Sequence, residues 1–172
     1  MNVVSKFIYR TKEYGLKYVL QTIVRNKIFT RIEVLNDTIG SFLFKRIPLK
    51  ETIILESHND FDSNGGAFYD YLIKHNFNEK YKIVWLLRNN KKIHGLPHNV
   101  KTVSLLNPSL KKIYYLNISK YILTCHSVVG SKRANQLSYY LTHGAISLKN
   151  IKGKINLPKD LNYCLIPSKY FE

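Results

Sequence analysis

Thr52-Ile53-Ile54-Leu55-Glu56, Lys82-Ile83-Val84-Trp85-Leu86-Leu87 and Tyr121-Ile122-Leu123-Thr124-Cys125 are the stretches on which the fold turns. Each is a short run rich in β-branched and aromatic residues, with apolar side chains on successive positions rather than on alternate ones. Such a run is buried on both faces, the pattern of parallel strands covered by helices above and below. Weaker runs of the same kind occupy 101–105, 138–142 and 163–166. Helical spacing fills 66–76 and 109–119; the second helix begins just after Pro108, with Asn107 in its cap region. Asn89-Asn90-Lys91-Lys92 and Gly95-Leu96-Pro97 are loop signals. The alternation predicts an α/β fold with a Rossmann-like parallel sheet.

Upstream of this pattern the chain changes character. Within 1–50, Leu16, Val19, Leu20 and Ile23 line one helical face, while Lys6, Arg10, Lys17, Gln21 and Arg25 fall in an adjoining sector. Gly15 is a candidate break. Two readings stand: a basic amphipathic helix lying on an anionic membrane, with Tyr9, Tyr14 and Tyr18 at headgroup depth, or an ordinary helix packed on the domain. The organisation read from these shifts is 1–50 as the basic helical segment, ending near Pro48, 51–160 as the Rossmann-like unit, and 161–172 as the start of a further domain. A strand that opens at 163 with little chain after it to cover its faces suggests an incomplete architecture.

Composition narrows the classes of function. The 172 residues carry 27 Lys plus Arg against 11 Asp plus Glu, a formal charge of +16 spread over the whole length, with 45% hydrophobic and 13% aromatic residues. A disordered basic tail would be poor in both apolar classes, so the chain folds and bears a basic surface. No apolar run approaches the roughly 18 residues of a membrane span, and no signal-peptide core opens the chain. Cys125 and Cys164 sit in apolar settings without metal or redox spacing, which predicts reduced core thiols in a cytosolic compartment. No cofactor motif is present: the histidines lack metal-ligand spacing, the GxGxxG and Walker patterns are missing, and there is no GxSxG elbow. Nucleic-acid binding has charge in its favour but no reading element.

Ligands of open parallel sheets bind beyond the carboxyl ends of the strands. Three histidines follow strands there: His58 after 52–56, His126 after 121–125 and His143 after 138–142. His143 is the strongest candidate base. Gly144 lets backbone approach a ligand, and the segment to Lys149 can open a helix whose free amides and cation face a phosphate. A base beside an anion-binding backbone suits phosphoryl transfer, although a satisfied histidine in a tight turn has the same signature. After Ser57, the residues His58, Asn59, Asp60, Asp62 and Ser63 form a polar loop ending in Asn64-Gly65-Gly66, able to hold a substrate hydroxyl or phosphate. Read by itself, Asn-Gly-Gly is primarily turn chemistry, which favours a capped loop. His126 reads as a structural hydrogen-bond partner.

Glu56-Ser57 with its loop to Asn64, Tyr69-Asp70-Tyr71-Leu72, Lys82-Ile83-Val84-Trp85, the run from Asn117 to Ile122, Lys132-Arg133 to Gln136, and Tyr140-Leu141-Thr142-His143-Gly144 to Lys149 together resemble the CDP-glycerol glycerophosphotransferase family. These enzymes build teichoic acids and related capsular polymers. The most specific element is similar to the family's Trp-His-Gly-Thr-Pro-Leu-Lys segment: His143, Gly144, Leu148 and Lys149 match, while Thr142, Ala145 and Ile146 depart from it. The resemblance implies the N-terminal half of a GT-B architecture, with peripheral attachment to the cytoplasmic face of the cell membrane. It also implies transfer of an alditol phosphate from a CDP-alditol donor to a hydroxyl of an anionic polymer or lipid-linked acceptor, releasing CMP. In that frame His143 matches the catalytic base, and Ser57, His58, Asn59, Asn64, Gly144 and Lys149 are the substrate-binding candidates. The nucleotide-binding residues of the family lie in a C-terminal domain outside this sequence. The competing reading is a non-catalytic basic module that binds a membrane or a polyanion.

Overall fold

The computed structural model describes residues 3–89, 93–142 and 157–165. Six strands make one parallel sheet: β1 (Lys50–Glu56), β2 (Lys82–Leu87), β3 (Val100–Ser104), β4 (Ser119–Thr124), β5 (Leu137–Leu141) and β6 (Tyr163–Leu165). Their spatial order is β3-β2-β1-β4-β5-β6, so chain direction across the sheet reverses between β1 and β4. Tyr163–Leu165, which the sequence assigns to the start of a following domain, therefore pairs with β5 as an edge strand of this same sheet.

The continuous apolar runs are explained by the two faces of the pleat. Ile53, Leu55, Ile83, Trp85, Leu87 and Leu123 point to one side, where Leu72 of α4 (Ser63–Lys74) covers them. Their neighbours Ile54, Val84, Leu86, Val103 and Ile122 point to the other, under Ile113, Leu116 and Ile118 of α6 (Leu110–Ile118). A strand covered on both sides cannot carry alternating polar residues. The Ser109 hydroxyl accepts the Lys112 N–H at 3.2 Å and caps α6, two residues beyond Asn107, where the sequence marks the cap region. A short helix, α5 (Phe77–Lys80), leads into β2.

The N-terminal segment is helical, as its spacing predicts, but in several pieces. It forms α1 (Val3–Tyr14), α2 (Leu16–Ile23), a π-helical turn (Val24–Phe29) and α3 (Thr30–Phe44). Gly15 does break the helix: its φ of 83° is a left-handed value that a side chain resists. α3 is docked on the sheet unit. Gly40 lies against Ile113 of α6, and a Cβ added there would overlap the Ile113 side chain. Lys112, only 2% exposed, donates from Nζ to Glu33 Oε1 at 2.6 Å and to the Leu105 carbonyl at 2.7 Å. Lys132 pairs with Asp37 at 3.3 Å. α1 and α2, by contrast, leave Phe7, Ile8, Leu16 and Leu20 exposed. Among the described residues, no helix is long and apolar enough to cross a membrane. Of the apolar face read from the sequence, Val19 is buried and the Ile23 side chain lies outside the described residues, as do those of Lys6, Arg10, Tyr14, Tyr18 and Arg25.

Candidate functional site

The strand order reverses between β1 and β4, and sheets of this topology take ligands at the carboxyl ends beside such a reversal. At that end stands Glu56, the last residue of β1, which is fully buried. Oε2 of Glu56 accepts three successive backbone N–H groups, from Cys125 at 3.2 Å, His126 at 3.0 Å and Ser127 at 3.1 Å. Oε1 accepts Nη2 of Arg88 at 3.0 Å and Nε at 3.3 Å. Nη2 of Arg88 also donates to Ser127 Oγ at 2.7 Å. Three consecutive amides pointing at one spot make an anion nest, and here the protein's own carboxylate fills it. The result ties the ends of β1, β2 and β4 into one charged, hydrogen-bonded knot.

The loop after β1 is held from within. Asp60 accepts the N–H groups of Arg88 at 2.7 Å and Asn89 at 2.9 Å. Asp62 Oδ1 accepts the Asn59 N–H at 3.2 Å, while the Asp62 N–H donates to Ser57 Oγ at 3.3 Å. Asp60, Phe61 and Ser63 all have positive φ, 63°, 53° and 52°. Three such residues within four positions are a costly path that persists only when the surroundings fix it. Desolvation acts to raise the Asp62 pKa, but the hydrogen bonds from Asn59 and Ser57 and the nearby His58 outweigh it and lower the value. The contribution of Asp62 to this loop is therefore present above the ordinary carboxylate range and is lost as pH falls through the lowered value.

Two imidazoles stand beside this knot. His58 follows β1 and His126 follows β4; both are exposed, their Nδ1 atoms are 3.0 Å apart, and their rings are tilted by 43° with centroids at 4.4 Å. The sequence assigns His126 a structural hydrogen-bonding part, and His58, another strand-end histidine, is one of its partners. Asn64, in the first turn of α4, donates from Nδ2 to the Thr142 carbonyl at 2.7 Å and so joins this cluster to the end of β5.

The remaining candidates are placed as follows. Ser57 is buried and its hydroxyl holds the loop, and Asn59 is exposed, with its N–H committed to Asp62. His143, Gly144 and Lys149 lie outside the described residues. Gly65 and Gly66 are within the first turn of α4 and are packing positions. A Cβ at Gly66 would come to 2.5 Å of the Phe61 carbonyl oxygen, and one at Gly65 to 3.1 Å of both the Glu56 carbonyl oxygen and Cys125 Sγ. Glycine there lets α4 sit directly on the strand end, which turn chemistry alone does not require. Cys125 is buried, and burial followed by the Glu56 charge pushes its thiol up to about 11. Cys164 corrects the expectation of two core thiols: it is exposed, because β6 is a three-residue edge strand with every position open. Among the described residues no group of three or more metal-ligating side chains occurs.

Glu56, Arg88 and Ser127 are the parts of the site that sequence reasoning missed. The available signal was a carboxylate closing an apolar strand, a position where an unpaired charge would be expensive.

No protein-family model matches the sequence, and no curated protein matches it by sequence. Solved structures do match the fold. A variant of the wall teichoic acid polymerase TagF superposes with a TM-score of 0.62 at 14% identity, covering 88% of this chain and 42% of that one. Another TagF variant gives 0.59 at 16% identity, over 91% of this chain and 43% of that one. A TagF structure soaked with CDPG gives 0.50 at 15% identity, over 74% and 33%. The chain thus has the six-stranded Rossmann-like fold of part of TagF and spans well under half the length of that polymerase.

Proposed function

We propose that this chain is the acceptor-side unit of a CDP-alditol phosphotransferase, acting in the synthesis of a teichoic-acid-like or capsular polymer. The observation that carries the reading is the cluster of polar side chains at the switch between β1 and β4, on a fold similar to that of a teichoic acid polymerase. The reaction needs a base for an acceptor hydroxyl, groups that neutralise charge on the transferred phosphate, and a way to hold a polyol. His143 is the proposed base, and Gly144 with Lys149 the phosphate-side groups. Asn64 anchors the residue before His143 through the Thr142 carbonyl, so α4 bears directly on where that segment leaves the sheet. The loop from Ser57 to Asn64 shapes the acceptor side. The CDP-alditol donor engages a nucleotide-binding domain outside this sequence, and the excess positive charge steers both donor and anionic acceptor.

The experiment is CMP release from CDP-glycerol and CDP-ribitol, with a glycerol phosphate oligomer as acceptor. It is run on this chain and on the longest polypeptide its reading frame encodes. His143→Ala is expected to reduce release by about two to four orders of magnitude, the usual weight of a general base. Release that the substitution leaves unchanged, or no release from either polypeptide, contradicts the reading.

The exposed apolar residues of α1 and α2, beside Lys12 and Lys17, favour a second element of the proposal: these helices lie on an anionic membrane. Sedimentation with vesicles containing anionic lipid, but not with neutral ones, is expected. Replacing Lys6, Arg10 and Lys17 by Gln should abolish the difference, and failure to bind either vesicle contradicts attachment.

A further inference from the structure

Thr142, the residue that follows β5, is held by its N–H, its hydroxyl and its carbonyl. The N–H donates to the Leu165 carbonyl at 3.3 Å, and the hydroxyl donates to the same carbonyl at 2.7 Å. The Thr142 carbonyl in turn accepts Nδ2 of Asn64 at 2.7 Å. The first of these bonds continues the pairing of β5 with β6, which is all that a strand end needs. The other two are extra: one side chain ties this residue to β6 and another ties it to α4. Both anchors are themselves fixed. Leu165 pairs with Leu141 across the sheet. The start of α4 is seated by the Gly66 N–H, which donates to the Asp62 carbonyl at 2.7 Å, and by the close approach of Gly66 to Phe61.

A bond at the N–H of a residue limits rotation about its φ, and a bond at its carbonyl oxygen limits ψ. The peptide that joins Thr142 to His143 is planar, and consecutive Cα atoms lie about 3.8 Å apart, so fixing both angles at Thr142 fixes the point and direction from which His143 sets out. Such exposed bonds add little to stability, because water competes for both partners. For catalysis they matter more: a misplacement of about 1 Å can cost about a hundredfold in rate. Thr142 also departs from the Trp-His-Gly segment that this stretch resembles, and tryptophan has no hydroxyl with which to make the bond to Leu165. Resting on the function proposed above, we propose that Thr142 and Asn64 are positioning residues. They act through the peptide between 142 and 143 to hold His143 toward the acceptor hydroxyl.

The test has one arm that needs no activity. In the full chain labelled with ¹⁵N-histidine, Asn64→Ala should shift the backbone amide signal of His143, although the two residues bonded here are 78 positions apart. The second arm is CMP release by the longest polypeptide that the reading frame encodes. Asn64→Ala and Thr142→Val should each lower kcat by about ten- to a hundredfold with KM for CDP-glycerol unchanged, and Thr142→Ser, which keeps the hydroxyl, should recover most of the rate. In a His143→Ala background neither substitution should slow release further, because the group they position is gone. An unmoved His143 amide, full rates in both variants, or losses that persist undiminished in the His143→Ala background overturn the proposal. Slow release by His143→Ala beside full rates for the other two removes only the positioning and leaves the base. A full rate in His143→Ala, or no release at all, removes the base and this role with it.

Discussion

Glu56 does for this site what a bound anion does in many others: it satisfies three amides in a row and the guanidinium of Arg88. Glu56→Gln keeps the shape but removes the charge and supplies an amide where an N–H must be accepted. Breaking a buried pair from one side costs about 3–5 kcal/mol; with Arg88 23% exposed, the lower part of that range is expected. Urea unfolding measures the loss, and a change under about 1 kcal/mol would mean that the knot is not structural. The sequence exposes the neighbours of Glu56, because a Ser-His-Asn loop after a strand is visibly polar. Glu56 itself reads as strand end, since nothing local reveals that the amides of residues 125–127 converge on it from 69 to 71 positions away.

Among elements, the strands were the most readable, because burial on both faces writes itself into consecutive apolar positions. β2 follows its run to the residue, and the others differ by one or two positions at one or both ends, where hydrogen bonding rather than side-chain pattern sets the limit. α3 was harder to place. Its docking depends on Gly40 meeting Ile113 and on Glu33 meeting Lys112, 79 positions away. That pair gives an asymmetric expectation. Glu33→Ala leaves the buried Lys112 ammonium facing only the Leu105 carbonyl, whereas Lys112→Met removes the charge together with its need for a partner. Because Glu33 is partly exposed, solvent moderates the effect to about 1–3 kcal/mol for Glu33→Ala, with Lys112→Met costing less. Thermal or urea unfolding of both variants decides the order, and the reverse order would show that the Glu33–Lys112 pair is not what holds α3.

Taken as one molecule, the chain separates its two chemistries. Apolar and basic residues of α1 and α2 face outward at one place, and the polar cluster of His58, His126 and Asn64 lies at the carboxyl ends of β1, β4 and β5. A generic polyanion binder would use its charge wherever it lies, and the +16 total supplies plenty. An acceptor-side unit must instead bring the polymer to the strand ends. Amide chemical-shift mapping on the full chain, with a glycerol phosphate oligomer compared against inorganic polyphosphate of equal charge, separates the two. The account predicts that the glycerol phosphate oligomer perturbs residues 57–64 and 125–127 at salt concentrations that screen surface charge, and that polyphosphate does not. Equal perturbation by both polymers, or shifts confined to residues 3–44, would contradict it.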